Sequence, residues 1–363
     1  MENQLIIIGE ELLLNKPYME YVDEQLTLHV GFFDSRVILR RNDSDFFIKL
    51  EDLVSKSQQN IILVQKDSFT FVNKIISTMS EDRLELIDDM LIPSKSILYS
   101  KDSFVISKDE KIINVISLKE NEELPNILIE NSKSVKNFTV VDIDLDSLKL
   151  LIEPICSTYE IKIKATSIVE GLIKINATAS KYGDLENFLK SISTLFSGKF
   201  IDNDDVVEHI TEKLKQNNKK ITSVESCTGG LISSMITKIP GSSNVFDGGI
   251  VSYANEIKES WLGVSKDTLE KLGAVSEQCV REMLDGILTA SRADFALATS
   301  GIAGPSGGSE NKPVGTVFVG VKSINQKAKV YRLHLKGDRH YIQTQSAYFA
   351  FKLLLELDKK LFF

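Results

Sequence analysis

Apolar residues along this chain follow two alternating rhythms. Compact runs at residues 5–8, 61–64, 221–224, 248–253 and 295–299 read as buried strands, and Val105 with 112–118 as a hairpin. Stretches 206–214, 231–239, 280–288 and 347–357 instead repeat apolar positions at the spacing of helices that bury one face. Strands interleaved with helices predict an α/β protein. Residues 138–201 run strand, helix, strand, strand, helix, strand, which suits a small two-layer βαββαβ module.

Punctuation divides the pattern. An acidic turn at 202–205 precedes the helix at 206–214, and three parts are expected: 1–135, 136–201 and 202–363. The 363-residue length exceeds a usual single core and agrees with that division. In the last part the alternating strand at 317–321 pairs antiparallel with 328–335, so the expectation is an α/β/α layered domain with a mixed sheet. The first part is an α/β segment with unusual turns. No glycine occurs between Gly31 and Gly171, so it lacks the positive-φ positions on which phosphate-cradling loops depend.

Composition narrows the function. A hydrophobic content of 42% supports a folded protein, and a net charge of −8 leaves no basic face for nucleic acid. Cys156, Cys227 and Cys279 have neither zinc-ligand spacing nor an even disulfide framework. With no basic leader and no apolar stretch of membrane length, the expected location is the cytoplasm. His209 has no second ligand at metal spacing, so neither a metal nor a cofactor is expected.

Candidate chemistry concentrates in residues 223–258. The run at 221–224 leads through Glu225, Ser226, Cys227 and Thr228 into Gly229, Gly230 and the helix at 231–239, which Pro240 stops. Small side chains thus stand where a helix begins, and unpaired N–H groups there attract phosphate or a developing oxyanion. Downstream, the strand at 248–253 ends in Tyr253, Asn255 is placed to cap a helix over 256–261, and Lys258 lies in its first turn. Strand ends of an α/β sheet share one edge, so Ser226, Tyr253 and Lys258 can meet above it. That trio supports nucleophilic chemistry without histidine or metal. A second glycine-rich loop, residues 300–308, follows the strand at 295–299.

The motifs ESCTGG, GSSNVFDGGIVSYANEIK, LGAVSE, SGIAGPSGGSENKPVGTV and GDR occur in the order seen in the C-terminal domain of the CinA family (competence/damage-inducible protein). From about residue 205 onward the chain resembles its nicotinamide-nucleotide amidase. The resemblance implies hydrolysis of the carboxamide of nicotinamide mononucleotide to nicotinic acid mononucleotide and ammonia, a step of pyridine nucleotide salvage. It makes Ser226 the expected nucleophile, Lys258 the base, and Tyr253 a proton relay or orienting group. Thr228, Gly229 and Gly230 are expected to offer backbone donors to the oxyanion or phosphate. Asn255, Ser300, Gly301, Ala303 and Gly304 are expected around the substrate, with Lys312 and Arg339 at its 5′-phosphate. Family members often carry another arginine four residues after the one at Arg339, where this chain has Gln343.

The first part is similar to the family's N-terminal domain only at Gly9-Glu10-Glu11-Leu12-Leu13. That domain resembles molybdopterin-binding domains, and some members cleave ADP-ribose. Its Gly-Gly-Leu-Gly-Pro-Thr loop is replaced here by residues 64–70, and its Pro-Gly-Pro-Pro loop is reduced to Leu124-Pro125. The expectation is a degenerate domain kept for packing or dimerisation, in a homodimer.

Each candidate has a plain structural role as well. Ser226 suits a helix cap, Tyr253 packing with a wet hydroxyl, Lys258 a solvated helix face, and Gly301–304 a tight turn. Cys227 is a rival nucleophile in the same turn, though a small buried cysteine is the commoner outcome. Two other functions stay open: a catalytically silent nucleotide-binding or scaffolding protein, and an ADP-ribose pyrophosphatase working through the first part.

Overall fold

The computed structural model describes residues 3–129 and 135–363. The chain forms two compact units, Met1–Lys133 and Ser134–Phe363.

The first unit contains β1 (Asn3–Ile8), α1 (Lys16–Val30), β2 (Ser35–Leu39), α2 (Phe46–Ser55), β3 (Gln59–Gln65), α3 (Phe69–Met79), β4 (Leu84–Ile87), β5 (Met90–Pro93), β6 (Leu98–Ser100), β7 (Ser103–Lys108) and β8 (Lys111–Leu118). Its main sheet has the order β2-β1-β3-β8-β7-β6, parallel from β2 to β8 and antiparallel beyond. Strands β1 and β3 are almost continuously apolar because both their faces are covered. Ile6, Ile8, Ile62 and Val64 pack towards α2 and α3, whereas Leu5, Ile7, Ile61 and Leu63 pack towards α1. The turns without glycine use acidic residues at positive φ. Asp88-Asp89 joins β4 to β5 and Asp109-Glu110 joins β7 to β8, two-residue links with both residues in the left-handed region. After β3 one 3₁₀ turn, Lys66–Ser68, leads directly into α3.

The second unit opens with β9 (Val135–Val141), α4 (Leu145–Thr158), β10 (Ile161–Val169), β11 (Leu172–Ala179), α5 (Leu185–Leu195) and β12 (Phe200–Ile201). These make an antiparallel sheet, order β10-β11-β9-β12, with α4 and α5 packed around Phe138, Ile152, Ile175 and Phe188.

There follow α6 (Val206–Gln216), β13 (Ile221–Glu225), α7 (Leu231–Thr237), β14 (Phe246–Val251), α8 (Asn255–Leu262), α9 (Lys266–Lys271), α10 (Glu277–Ser291), β15 (Phe295–Gly301), β16 (Thr316–Ser323), β17 (Lys329–His334), α11 (Arg339–Leu357) and α12 (Lys359–Phe362). The sheet is mixed, order β14-β13-β15-β16-β17, with the first three strands parallel and the last two antiparallel. Helix α10 packs on one face through Cys279, Val280, Met283 and Leu284. Helices α6, α7 and α11 pack on the other, giving α/β/α layers. The second of these cores also takes in Val141, Val169, Leu172 and Ile201, so the βαββαβ segment shares buried surface with the C-terminal layers.

Two local expectations are corrected. The strand expected to be buried at 248–253 is the edge strand β14, where Asp247, Gly248 and Gly249 are exposed. A short apolar run carries no record of how many neighbours its strand will have. Asn255 lies inside α8 rather than capping it. Extended Ala254 holds the cap position and makes no side-chain bond.

Candidate active site

Strand β13 delivers the turn 226–230 to the C-terminal edge of the sheet, between the ends of β14 and β15. The backbone is pinned there, since the Ser226 N–H donates to the Thr299 carbonyl (3.0 Å) and the Ser252 N–H to the Glu225 carbonyl (2.7 Å). Gly229 (φ 64) and Gly230 (φ 102) take the left-handed conformations that let the chain reverse into α7.

Lys258 reaches this turn from α8. Only 1% exposed, it places Nζ 3.0 Å from Ser226 Oγ, 2.5 Å from the Ser252 carbonyl and 3.2 Å from the Tyr253 carbonyl. Among the described residues no carboxylate pairs with it. Burial lowers its pKa below the ordinary lysine value, an effect opposed by the neighbouring Cys279 and Cys227. Carbonyl oxygens only accept. A neutral amine can donate its two N–H bonds to these two carbonyls and turn its lone pair to the Ser226 hydroxyl. The arrangement is that of a serine whose proton has a base waiting.

Tyr253 meets the lysine differently from the sequence expectation. Its backbone oxygen contacts Lys258, while its phenol, on a residue 62% exposed, accepts from Arg339 Nη2 at 3.0 Å. Arg339, the first residue of α11, also donates from Nη1 to the Gly304 carbonyl (2.9 Å). A guanidinium carries five N–H groups, so three remain for a ligand. These groups line a cleft of about 310 Å³ with Cys227, Ala274, Val275, residues 300–304, Ser306 and Gly307. That is the lower end of the roughly 300–1,000 Å³ usual for small-molecule sites.

The remaining sequence candidates divide. Ser300, Gly301, Ala303 and Gly304 line the cleft. Ser300 Oγ is held by the Ala274 carbonyl (2.7 Å), and a Cβ at Gly301 or Gly304 would collide with Val317 or Val314, so both glycines serve close packing. Asn255 and Lys312 do not line the cleft, and Lys312 Nζ donates to the Leu272 carbonyl (2.8 Å). The expected backbone donors are largely engaged: Gly229 N–H with the Ser226 carbonyl (3.2 Å) and Gly230 N–H with Glu225 Oε2 (3.0 Å). Thr228 gives its hydroxyl to Glu225 Oε2 (2.7 Å). Its N–H appears in no hydrogen bond among the described residues, and neither does the Cys227 N–H; of the turn only Ser226 and Cys227 line the cleft, so Thr228, Gly229 and Gly230 do not. Cys227, buried beside the turn, has its thiol pushed up to about 12 by burial and is a poor nucleophile at neutral pH.

Glu225 was not singled out from sequence, and Gln343 only as a departure from the family's arginine. Glu225 is fully buried and fills the start of α7 with its carboxylate. Gln343, one turn along α11 from Arg339, donates from Nε2 to the Cys227 carbonyl (2.7 Å). Signals existed for both: an acid closing a strand otherwise free of charge, and a spacing of four that puts Gln343 on the arginine's helix face.

Fold and site together define an α/β/α layered domain with a buried lysine amine against a serine turn at its sheet edge. Residues 203–357 match the family model described as the CinA C-terminal domain. A competence-damage inducible protein of Thermoanaerobacter pseudethanolicus is 30% identical over an alignment of 407 residues, covering 98% of each chain. A CinA-like protein of Thermotoga neapolitana is 50% identical over 153 residues, covering 42% of this chain and 37% of that relative. The crystal structure of the competence/damage inducible protein CihA from Agrobacterium tumefaciens shares 38% identity at a TM-score of 0.40, over 42% of this chain and 96% of that one. The chain belongs to the CinA family.

Proposed function

We propose that the second unit hydrolyses the carboxamide of nicotinamide mononucleotide, giving nicotinic acid mononucleotide and ammonia. The observation that carries this reading is the 3.0 Å approach of the buried Lys258 amine to Ser226 Oγ. Amide hydrolysis needs an activated nucleophile, a stabilised oxyanion and a proton for the departing nitrogen. Ser226 Oγ attacks the carboxamide carbon as its proton passes to Lys258 Nζ. An unpaired N–H of the turn, that of Cys227 or Thr228, receives the oxyanion, a kind of contact whose loss typically costs roughly 3 kcal/mol. The lysine then gives its proton to the leaving nitrogen, and ammonia departs from an acyl-Ser226. Water, deprotonated by the same amine, attacks the ester and restores the serine. Arg339, with three N–H groups to spare at the cleft mouth, binds the 5′-phosphate.

The test is ammonia release from nicotinamide mononucleotide by the purified chain, with and without a chelator, beside a Ser226→Ala variant. Chelator-resistant release by the wild type, absent from a variant that still binds the nucleotide, is expected. No release from the folded wild type would leave a nucleotide-binding or scaffolding protein.

A further inference from the structure

The carboxylate of Glu225 has no role in the mechanism above, yet it is the most heavily hydrogen-bonded side chain around the site. It is fully buried, and no cation pairs with it among the described residues. Oε1 accepts from the Ser233 N–H (2.9 Å) and Ser233 Oγ (2.9 Å), with Ser223 Oγ 3.3 Å away and itself 2.7 Å from Ser233 Oγ. Oε2 accepts from Thr228 Oγ1 (2.7 Å), the Gly230 N–H (3.0 Å) and the Ile232 N–H (3.0 Å). Three of these partners are backbone amides, which only donate, so the site fits an anion with both oxygens saturated. Thr228 Oγ1 also touches Thr299 Oγ1 at 2.7 Å, tying the network to β15.

The geometry has two consequences. The bonds start one residue before Ser226 and land two, four, six and seven residues after it, so the turn is closed into a ring around a charge of its own. The first amides of α7 are also consumed, which leaves the substrate's phosphate no place at that helix start. We propose that Glu225 is a positioning residue. It acts through the turn 226–230 to hold Ser226 Oγ against Lys258, and by supplying the anion internally it confines the substrate's phosphate to the cleft mouth. This rests on the reading of Ser226 as the nucleophile.

Ser226 can be read without the nucleotide. A fluorophosphonate probe forms a bond between Ser226 Oγ and phosphorus and breaks the phosphorus–fluorine bond. Fluoride leaves and the hydroxyl proton goes to Lys258. The full chain, its Ser226→Ala variant as baseline, and Glu225→Gln and Glu225→Asp are compared by labelling rate, nucleotide kinetics and thermal melting. An amide at position 225 must turn a donor towards donors. Because misplacement near 1 Å costs on the order of 100-fold, Glu225→Gln is expected to lose about that factor in labelling rate and kcat with little change in KM. Glu225→Asp, which keeps the charge, labels faster than Glu225→Gln.

Wild-type labelling by a folded Glu225→Gln overturns the proposal, as does a rise in KM at unchanged kcat. If Glu225→Gln does not fold, Ser233→Ala and Thr228→Val each remove one donor without changing charge; slower labelling in both supports the proposal, and wild-type rates in both overturn it. A wild type that labels but does not release ammonia sinks the nucleotide reading and leaves this one standing. A wild type that does not label overturns both.

Discussion

The proposed chemistry needs Lys258 as a free amine, and its surroundings favour that form. Burial lowers its pKa, while the unfolded chain restores a value near 10.4. Between the two values the unfolded state holds a proton that the folded state lacks, so stability rises with pH across that window and is level above it. Below the folded value the full cost of a buried ammonium is present. Two outcomes follow from one group. Ammonia release falls on acidification as Lys258 protonates, and Tm rises from neutral to about pH 10 by more in the wild type than in Lys258→Met. A pH–rate profile beside melting curves of both proteins checks this, and identical slopes would remove Lys258 as the titrating group. At this scale the pairing of Ser226 with Lys258 was legible in sequence, because Ser226 follows β13 and Lys258 stands on the helix that follows β14, at one sheet edge. The role of Tyr253 was not, since sequence cannot tell whether a backbone oxygen or a phenol will face the lysine. Nor could it tell that Glu225 would occupy the amides expected to serve the substrate.

The elements hold these groups through close approaches that glycine permits. Gly286 on α10 sits where a Cβ would lie 2.1 Å from the Leu262 carbonyl at the end of α8, the helix that carries Lys258. Gly286→Ala must push α8 outward. The expected outcome is about 1–3 kcal/mol of lost stability, as for other overpacked contacts, together with a lower kcat because Nζ leaves the serine. Urea unfolding and steady-state kinetics of this one variant test both effects. Arg339 makes a different connection, from the first turn of α11 to the Tyr253 hydroxyl and the 300–304 loop. Hydrogen bonds to charged groups contribute roughly 1.5–3 kcal/mol, so Arg339→Ala should raise KM for nicotinamide mononucleotide by about 10- to 100-fold. Any turnover of nicotinamide riboside, which lacks the phosphate, stays the same. Equal losses on both compounds would assign the arginine to holding the loop. Apolar rhythm made most of these elements legible, including α10, which Ser276 caps by accepting the Cys279 N–H at 3.3 Å. It did not reveal β14 as an edge, because edge and centre differ in neighbours rather than in local pattern.

At the scale of the whole chain, every group invoked in the site lies in Ser134–Phe363, while the first unit has its own two cores. A fragment of residues 134–363 is therefore expected to fold and to keep the proposed ammonia release. A shorter fragment, residues 203–363, keeps the same site residues but loses part of the core. Val141, Val169, Leu172 and Ile201 are buried in the same cluster as Ile210, Phe351, Leu353 and Leu354, and fully burying such a side chain is worth about 1.5–3 kcal/mol. Cutting at 203 strips those partners from α6 and α11, the helix that also carries Arg339 and Gln343. The prediction is a clearly lower Tm for residues 203–363 than for 134–363. Its KM should rise as well, because Arg339 depends on the seating of α11. Equal Tm values would mean that the βαββαβ segment only decorates the C-terminal layers. Sequence placed a boundary near residue 202 from an acidic turn, which is a local signal. Whether two neighbouring segments share buried surface depends on residues as far apart as Val141 and Leu353 joining one core, and no turn records that.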